Sequence, residues 1–439
     1  MTELILIILH LFFIMAFFSI NPLIFNKKLN NTIATSLTEN ILLNFLITGN
    51  FILILSYFNL NLSEIIKFYS IYFFGLCIFF LKNKFLNFSK TKINYVFDFI
   101  IIFLISIIIC IDISNKLILS WDSEKFWLYK KLSFYNNFSI ENLKNMARPE
   151  YPFLGGLIGS FFWKLSFIGS EYASRLYLGL VYAIAIYSLV ENISVPKIYK
   201  FVILFLFVLI TYDYHKLFNG NQEILIFSLI CFTLSSCYKI KYNKNIVLNF
   251  IIILLSCNLL VWTKQEGLFY IFFIMITTFF VFKFSSKEKI YFFILLLSLI
   301  ILRIYIFKVY NFEITLNKNV VNELSFQVII SSLDIQKSLV ILKYLIFAIF
   351  QNLYLLFGLI LILLNRIIDN KTKYINVYLL INITFIYVVY LLVNDADRSH
   401  EFLLKFGIER LLFNISPIVI LLFVETLDKK KKLFYKNNS

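Results

Sequence analysis

The sequence predicts an all-α polytopic membrane protein with about thirteen transmembrane helices. Of its 439 residues, 60% are hydrophobic and only 15% are charged, and the mean hydropathy is +0.84. Apolar runs of about 17–25 residues, the length that crosses a bilayer as a helix, recur along the chain. These runs are continuous, whereas a transmembrane β-barrel would show short segments of alternating polarity.

The lysine-rich loops fix the predicted orientation. Cations fall in alternate loops between the apolar runs, so all of these loops can be cytoplasmic together, with the N-terminus outside and the C-terminus inside. Among these cations are Lys27, Lys28, Lys90, Lys197, Lys239, Lys283, Lys371 and the tail residues Lys429 to Lys432. The predicted spans lie near 3–20, 41–59, 66–82, 95–113, 172–191, 199–212, 223–238, 246–262, 267–283, 289–308, 344–365, 374–393 and 410–426.

One apolar stretch, 152–169, would reverse every later loop if it crossed the membrane. Its three internal glycines and Lys164 favour a helix that lies in, or dips into, the outer leaflet. The chain is thus divided into N-terminal helices 1–113, a catalytic loop with an interfacial helix at 114–169, a transmembrane core at 170–426 and a basic cytoplasmic tail at 427–439.

The net charge of +16 is concentrated in the cytoplasmic loops, which indicates a membrane partner and no nucleic acid. The five cysteines lie in or beside apolar runs without CxxC spacing, so they are predicted to be core residues. No cleavable signal peptide is evident, since the first apolar run lacks a small-residue cleavage site.

The chemically versatile residues collect on the outer side, although the orientation was derived from lysines alone. All four tryptophans also fall there. The outer set includes Trp121, Asp122, Arg148, Glu150, Asp213, His215, Asn219, Glu223, Lys264, Glu266, Asp395, Asp397, Arg398, His400 and Arg410. The sequence therefore predicts a functional site on the outer side of the membrane.

Trp121 and Asp122 open the largest outer loop. For Trp121 and Trp127 alone, the interfacial aromatic belt is the simpler interpretation. Asp122 lies at the mouth of an apolar bundle, where a carboxylate suits a general base that takes a proton from a hydroxyl. The alternative is a simple helix cap.

The loop ends at Arg148-Pro149-Glu150-Tyr151-Pro152. Arg148 would either contact a phosphate or pair with Glu150. If Arg148 contacts a phosphate, Glu150 would be a hydrogen-bond or metal ligand. Both interpretations remain open from the residues.

Asn221, Gln222 and Glu223 open a later outer-facing helix. Asn221 as N-cap and Glu223 in the first turn would explain them without function. Recognition of sugar hydroxyls is the alternative.

Lys264-Gln265-Glu266-Gly267 forms a tight outer turn, for which Gly267 supplies conformational freedom. Lys264 is an outside cation beside apolar helices, which favours a lipid-phosphate contact over generic headgroup binding. Arg410 starts the last span and would either snorkel outward or, opposite Lys264, clamp the phosphate bidentately.

Together and in this order, these stretches resemble the GT-C superfamily of membrane glycosyltransferases that use polyprenyl-phosphate sugars. Protein O-mannosyltransferases and aminoarabinose transferases would be the most similar enzymes. The resembling elements are the Trp121-Asp122 loop with Phe126-Trp127, Pro149 to Leu154, Gly220 to Glu223, Lys264 to Gly267, and Arg410-Leu-Leu with Pro417. Three spans precede the loop where the family usually has one, and Phe406, Gly407 and Glu409 depart from the expected polar pattern.

The resemblance implies inverting transfer of a sugar from a polyprenyl-phosphate donor to an acceptor hydroxyl of a lipid, glycan or protein. It places the reaction at the extracytoplasmic face of the cytoplasmic membrane and makes Asp122 the catalytic base. The polyprenyl phosphate leaves as a stable anion, so cations suffice to stabilise it. The expected substrate-binding residues are Trp121, Arg148, Glu150, Tyr151, Asn221, Glu223, Lys264, Glu266 and Arg410. No cofactor is certain; a divalent cation, Mg or Mn, is the one candidate, with Asp122 and Glu150 as its ligands.

Two other classes remain open. A transporter or flippase of lipid-linked sugars would place charges and broken helices near mid-membrane, often in inverted repeats. A polymerase or ligase of lipid-linked glycans would share the outer site but use diphosphate-linked donors.

Overall fold

The computed structural model describes residues 2–25, 36–84, 92–115, 117–146, 148–212, 219–242, 244–281, 286–312, 335–368, 373–392 and 400–437. Within these ranges every regular element is a helix, which confirms the predicted all-α class. The α-helices in them are α1 Thr2–Phe18, α2 Leu37–Ser56, α3 Leu62–Lys84, α4 Lys92–Asn115, α5 Leu128–Tyr135, α6 Leu154–Leu165, α7 Leu176–Val190, α8 Lys197–Tyr212, α9 Glu223–Lys241, α10 Ile246–Thr263, α11 Glu266–Val281, α12 Ser286–Val309, α13 Ile335–Gln351, α14 Leu353–Ile368, α15 Lys373–Leu392, α16 His400–Phe413 and α17 Ser416–Asn437.

Eight of the described helical segments are long and apolar enough to cross a membrane. They are Leu37–Ser56, Leu62–Lys82, Tyr95–Asn115, Glu171–Val190, Glu223–Lys241, Ile246–Thr263, Lys289–Val309 and Gly407–Leu427. The chain is therefore a helical membrane protein by composition and length, while the predicted number of thirteen spans is not confirmed. Several predicted spans are shorter helices, such as α1 with 17 residues and α8 and α11 with 16 residues each.

The predicted span 344–365 is interrupted. It is divided between α13 and α14, which meet at Asn352 with a bend of 90°. The Asn352 side-chain amide donates to the carbonyl oxygen of Ala348 at 2.6 Å, one turn back in α13. Hydropathy counts apolar residues and carries no information on chain direction, so it cannot locate such a break.

The stretch predicted to lie in the outer leaflet forms α6, a helix of 12 residues. At 1.5 Å per residue this helix is about 18 Å long, well short of a bilayer core. Residues 154–163 are all buried by protein, so α6 has no lipid-facing side there. Its glycines serve close packing: a Cβ at Gly156 would lie 3.2 Å from the Cβ of Lys130, and one at Gly159 would lie 3.1 Å from the carbonyl oxygen of Ser174.

The centre of the bundle is α9, which packs against α7, α10 and α17. Every residue of α9 except Lys239 and Lys241 is buried, and all fifteen residues of α7 are buried. By contrast, α3 exposes an apolar stripe of Phe68, Ile71, Phe74 and Ile78, the pattern of a helix at the lipid boundary.

The two ends of α9 carry different charges. Glu223 begins the helix, and Lys239 and Lys241 lie in its last turn, where both signs are favourable to the helix dipole. The predicted basic tail is the continuation of α17, which runs to Asn437. Other predicted loop residues lie outside the described ranges: Lys27, Lys28, Lys90, Asp213, His215, Lys283, Lys371, Asp395, Asp397 and Arg398.

Candidate active site

The turn that carries Asp122 is fastened to the start of α9. Asn221 Oδ1 accepts hydrogen bonds from the hydroxyls of Ser120 at 2.7 Å and Ser123 at 2.8 Å. The Ser120 amide also donates to the carbonyl oxygen of Asn219 at 3.0 Å. These bonds hold the loop that precedes α5 against the first turn of α9.

Gly220 makes this close approach possible. Its φ of +89° lies in the left-handed region, which residues other than glycine rarely adopt. A Cβ at this position would also lie 3.0 Å from Ser123 Cβ. Ser123, which Gly220 approaches, begins the π-helical turn Ser123–Trp127, and this turn leads into α5. Trp127 is buried and stacked on Tyr151, whereas Trp121 is 54% exposed. The predicted aromatic-belt interpretation is therefore wrong for Trp127, since protein covers it.

Arg410 joins the two carboxylates at this end of the bundle. Its Nη1 lies 2.6 Å from Asp122 Oδ2. Its Nε and Nη2 lie 2.7 Å and 2.6 Å from Glu223 Oε1. The guanidinium therefore has one edge on Glu223 and a separate contact with Asp122.

Lys264 approaches the same Glu223 oxygen from α10. Its Nζ lies 2.8 Å from Glu223 Oε1 and 3.6 Å from Glu266 Oε1. Burial by itself would lower the pKa of Lys264, but the two carboxylates outweigh it and hold the pKa above its ordinary value. Lys264 is therefore a permanent cation at neutral pH.

Gly267 supports this turn for a reason other than the predicted one. Among the described residues Gly220 is the glycine with positive φ, so Gly267 does not need left-handed freedom. A Cβ at Gly267 would instead lie 2.0 Å from the carbonyl oxygen of Leu260. Close packing of α11 against the end of α10 requires the glycine.

The end of the loop, 148–151, is held by Lys130. This lysine is fully buried, and its Nζ donates to the carbonyl oxygens of Arg148, at 3.0 Å, and Tyr151. Its Nζ also lies 5.8 Å from the ring centroid of Trp127 and 6.0 Å from that of Tyr151. Burial lowers the pKa of Lys130 to about 7, with partial opposition from Glu150.

Arg148 and Glu150 pair with each other, with Nη1 and Oε1 3.4 Å apart. Arg148 has a left-handed φ of 57°, and Glu150 is buried. The pairing supports the simpler of the two predicted interpretations. Their contacts shape the turn that places Tyr151.

These groups surround one cavity of about 470 Å³. Six of the predicted site residues line it: Asp122, Tyr151, Glu223, Lys264, Glu266 and Arg410. The cavity also has an apolar wall, the lining residues Phe126, Phe269, Phe385, Val389 and Leu411. The cavity thus joins a charged end to an apolar side.

Four predicted substrate-binding residues lie around the cavity without lining it: Trp121, Arg148, Glu150 and Asn221. Asn221 is not the N-cap that the sequence suggested, because Gln222 precedes the first helical residue and the Asn221 oxygen is bonded to the two serines. In the structure its contacts position Asp122.

Several residues of the site escaped sequence reasoning. Gln265, Tyr390, Gly407 and Asn414 line the cavity. Arg303, which does not line the cavity, is buried, donates to the carbonyl oxygen of Val261 at 2.6 Å and is attracted by the charge of Glu266. An arginine inside the apolar run 289–308 is the one signal that could have been followed, since such charges are expensive in a membrane.

A second buried ion cluster underlies the loop. Lys131 Nζ lies 2.9 Å from Glu171 Oε1, and Arg175 Nη2 lies 3.0 Å from Glu171 Oε2. Lys131 also donates to the Ser174 hydroxyl at 3.0 Å. This cluster anchors α5 to the turn that precedes α7.

The predicted divalent-cation ligands do not form a metal site. Asp122 and Glu150 each have an arginine partner, at 2.6 Å and 3.4 Å. The part of the chain that the structure describes contains no group of three or more His, Cys, Asp or Glu side chains placed to hold a metal ion. These positive neighbours oppose the binding of a cation at either carboxylate.

Comparison with protein-family models, with curated proteins and with solved structures finds no match for this chain.

Proposed function

We propose that the chain is a membrane glycosyltransferase that moves a sugar from a polyprenyl-phosphate donor to an acceptor hydroxyl. The observation that carries the proposal is the cavity itself. Asp122, Arg410, Glu223 and Lys264 are joined by contacts of 2.6–2.8 Å at its charged end, beside an apolar wall. A lipid phosphate needs both features at once.

The two cations suit the leaving group. A polyprenyl phosphate departs as a stable anion, so its departure requires positive charge and no proton donor. Lys264 remains protonated because of its carboxylate neighbours. Arg410 offers a planar guanidinium, which matches the oxygens of a phosphate.

Arg410 can exchange Asp122 for the donor phosphate without losing its position. Its Nε and Nη2 stay on Glu223, while Nη1 is the group that contacts Asp122. When a phosphate oxygen takes the Nη1 contact, the Asp122 carboxylate becomes available to the acceptor. Asp122 then accepts the hydroxyl proton as that oxygen attacks the anomeric carbon and the bond to the phosphate oxygen breaks, which inverts the configuration.

The apolar wall suits the prenyl chain. The rings of Phe269 and Phe385 lie 4.6 Å apart, both line the cavity, and Phe269 is 47% exposed. We place the prenyl chain of the donor along this pair of rings. A lipid-borne donor can keep its tail in the bilayer while its phosphate reaches Lys264.

Orientation is part of the proposal: the cavity faces the exterior of the cytoplasmic membrane, and the Lys239 end of α9 faces the cytoplasm. The alternation of lysine-rich loops supports this. A cysteine in place of Trp121 should react with an impermeant thiol reagent in intact cells, whereas one in place of Tyr242 should not. Labelling of Tyr242→Cys alone would reverse the orientation.

The deciding experiment is turnover by the purified protein in proteoliposomes with a panel of radiolabelled polyprenyl-phosphate sugars and lipid, glycan and peptide acceptors. We expect transfer of one sugar to one acceptor class, with inversion at the anomeric carbon. Movement of the labelled lipid between leaflets without transfer would replace the proposal by a transporter. Turnover of diphosphate-linked glycans alone would replace it by a polymerase or ligase.

A further inference from the structure

Two buried oxygen atoms at the cavity lack partners. Glu223 and Asn414 are 2% and 3% exposed, and both line the cavity. Among the residues that the structure describes, Glu223 Oε2 and Asn414 Oδ1 have no hydrogen-bond partner. Buried polar atoms in folded proteins are almost always hydrogen-bonded, so these two acceptors call for a specific explanation.

The two acceptors belong to one place in the fold. Asn414 is the first residue after α16, which carries Arg410 in its last turn, and both residues line the cavity. Arg410 is bonded to Glu223, and the rings of Phe413 and Phe227 stack 4.9 Å apart one turn deeper. These contacts hold the end of α16 against the start of α9 and so bring Asn414 near Glu223.

The chemistry of the pair selects a neutral donor. A metal ion is disfavoured because Lys264 and Arg410 already lie within 2.8 Å of the other Glu223 oxygen. A phosphate at Oε2 would be repelled, because the two cations that could bind it contact Oε1. Hydroxyl groups can donate to both oxygens without adding charge, and each such bond relieves a buried, unsatisfied acceptor.

We infer that Glu223 Oε2 and Asn414 Oδ1 form a hydroxyl-recognition subsite that binds the sugar of the donor, next to the cations that bind its phosphate. This inference rests on the proposed function and extends it by assigning Asn414, a residue outside the predicted site. The subsite distinguishes a sugar-bearing lipid phosphate from the bare lipid phosphate. It takes a ligand with at least two hydroxyl donors.

The test is the ratio of two affinities, measured on the full chain in detergent. The probes are farnesyl phosphate and the farnesyl-phosphate sugars of the donor panel, each titrated against wild type and Asn414→Leu. Wild type should prefer one sugar-bearing probe. Asn414→Leu should lose about tenfold of that preference, the loss expected for one hydrogen bond to a buried acceptor, while its affinity for bare farnesyl phosphate is unchanged.

Two further variants separate recognition from structure. Asn414→Asp retains an acceptor oxygen and should keep most of the preference, since its added charge weakens both probes alike. Asn249→Leu removes another fully buried asparagine, which lies near the start of α10 and does not line the cavity, and should leave the ratio unchanged. Asn414→Leu also loses the hydrogen bond between the Asn414 side chain and Tyr270, so its unfolding temperature should fall, and the affinity ratio is the readout that separates recognition from stability.

An unchanged ratio in Asn414→Leu would overturn the subsite and leave the glycosyltransferase proposal standing. The subsite would also be overturned if Asn414→Leu lost affinity equally for both probes, or if Asn249→Leu lost the same preference. If wild type bound no sugar-bearing probe better than farnesyl phosphate, the subsite would be overturned. If no panel member were turned over, the proposed function itself would fail.

Discussion

The two ends of α9 use the same kinds of charged side chain in different arrangements. At the lysine end, Lys239 pairs with Glu39 and Lys241 pairs with Glu425, each at 2.7 Å. At the other end, Arg410 and Lys264 share Glu223, and Arg410 also holds Asp122. The 19 residues of α9 separate the ends by about 28 Å.

The difference lies in how the charges are shared. Separate pairs such as Lys239 with Glu39 are suited to holding helices together. In the shared network a single Glu223 oxygen receives three contacts, and Asp122 depends on one nitrogen of Arg410. A ligand phosphate can replace that one contact while the rest of the network stays in place. Of these two sets of charged residues, the network at Glu223 lines the cavity and the pairs at the lysine end do not.

The largest expected effect comes from removing the base. Asp122→Asn keeps the shape of the side chain but cannot accept a proton, so transfer at saturating donor should fall by at least about a hundredfold. Insertion, folding and donor binding should be retained. Glu124→Gln is the matched control, because its side chain is 57% exposed and contacts Lys125 at 3.7 Å. Near-normal turnover in Asp122→Asn would remove the catalytic assignment.

Removing a cation at the cavity end of α9 should weaken donor binding, whereas removing one at the lysine end should not. Lys264→Ala and Arg410→Ala should each weaken donor binding by about 1–3 kcal/mol, the range for charge-assisted hydrogen bonds. Lys241→Ala removes a comparable ion pair at the opposite end and should alter thermal stability alone. Titration with a lipid-phosphate donor gives the comparison. Equal donor affinity in all three variants would return Lys264 and Arg410 to a structural role.

Sequence reasoning placed the components of the network correctly on one side of the bundle. Alternating lysine loops put Asp122, Glu223, Lys264 and Arg410 together, and the structure joins them by direct contacts. This worked because membrane orientation restricts each loop to one of two faces. The contacts within that face depend on side-chain direction, which periodicity does not give.

The same limit explains the errors. Asn221 suits an N-cap, but its oxygen was taken by Ser120 and Ser123, which are about a hundred residues away in the chain. The glycines of α6 fit an interfacial helix as well as they fit close packing on Lys130, and only tertiary contacts decide between the two. The bend at Asn352 leaves no trace in hydropathy.

The buried lysines at the cavity end provide a test that measures stability instead of activity. Lys264 lies against carboxylates, and its pKa is raised despite burial. Lys130 donates to the carbonyl oxygens of Arg148 and Tyr151, and burial lowers its pKa to about 7. Burial lowers the pKa of both lysines, but only Lys264 is in direct contact with carboxylates, and these outweigh its burial.

This difference predicts a pH dependence of stability. Below about pH 7 Lys130 is protonated in both folded and unfolded states, and the full unfavourable burial of its charge is present. Between about pH 7 and 10.5 the folded protein has released the proton while the unfolded chain still binds it, so stability rises with pH by up to about 1.4 kcal/mol per unit.

Thermal unfolding in detergent across this range should therefore show a steeper rise in wild type than in Lys130→Met. Lys144→Met, at an exposed lysine of the same loop, controls for the loss of one positive charge. Parallel curves for wild type and Lys130→Met would mean that Lys130 stays charged in the folded protein, and its role in placing Tyr151 would then be that of a buried cation.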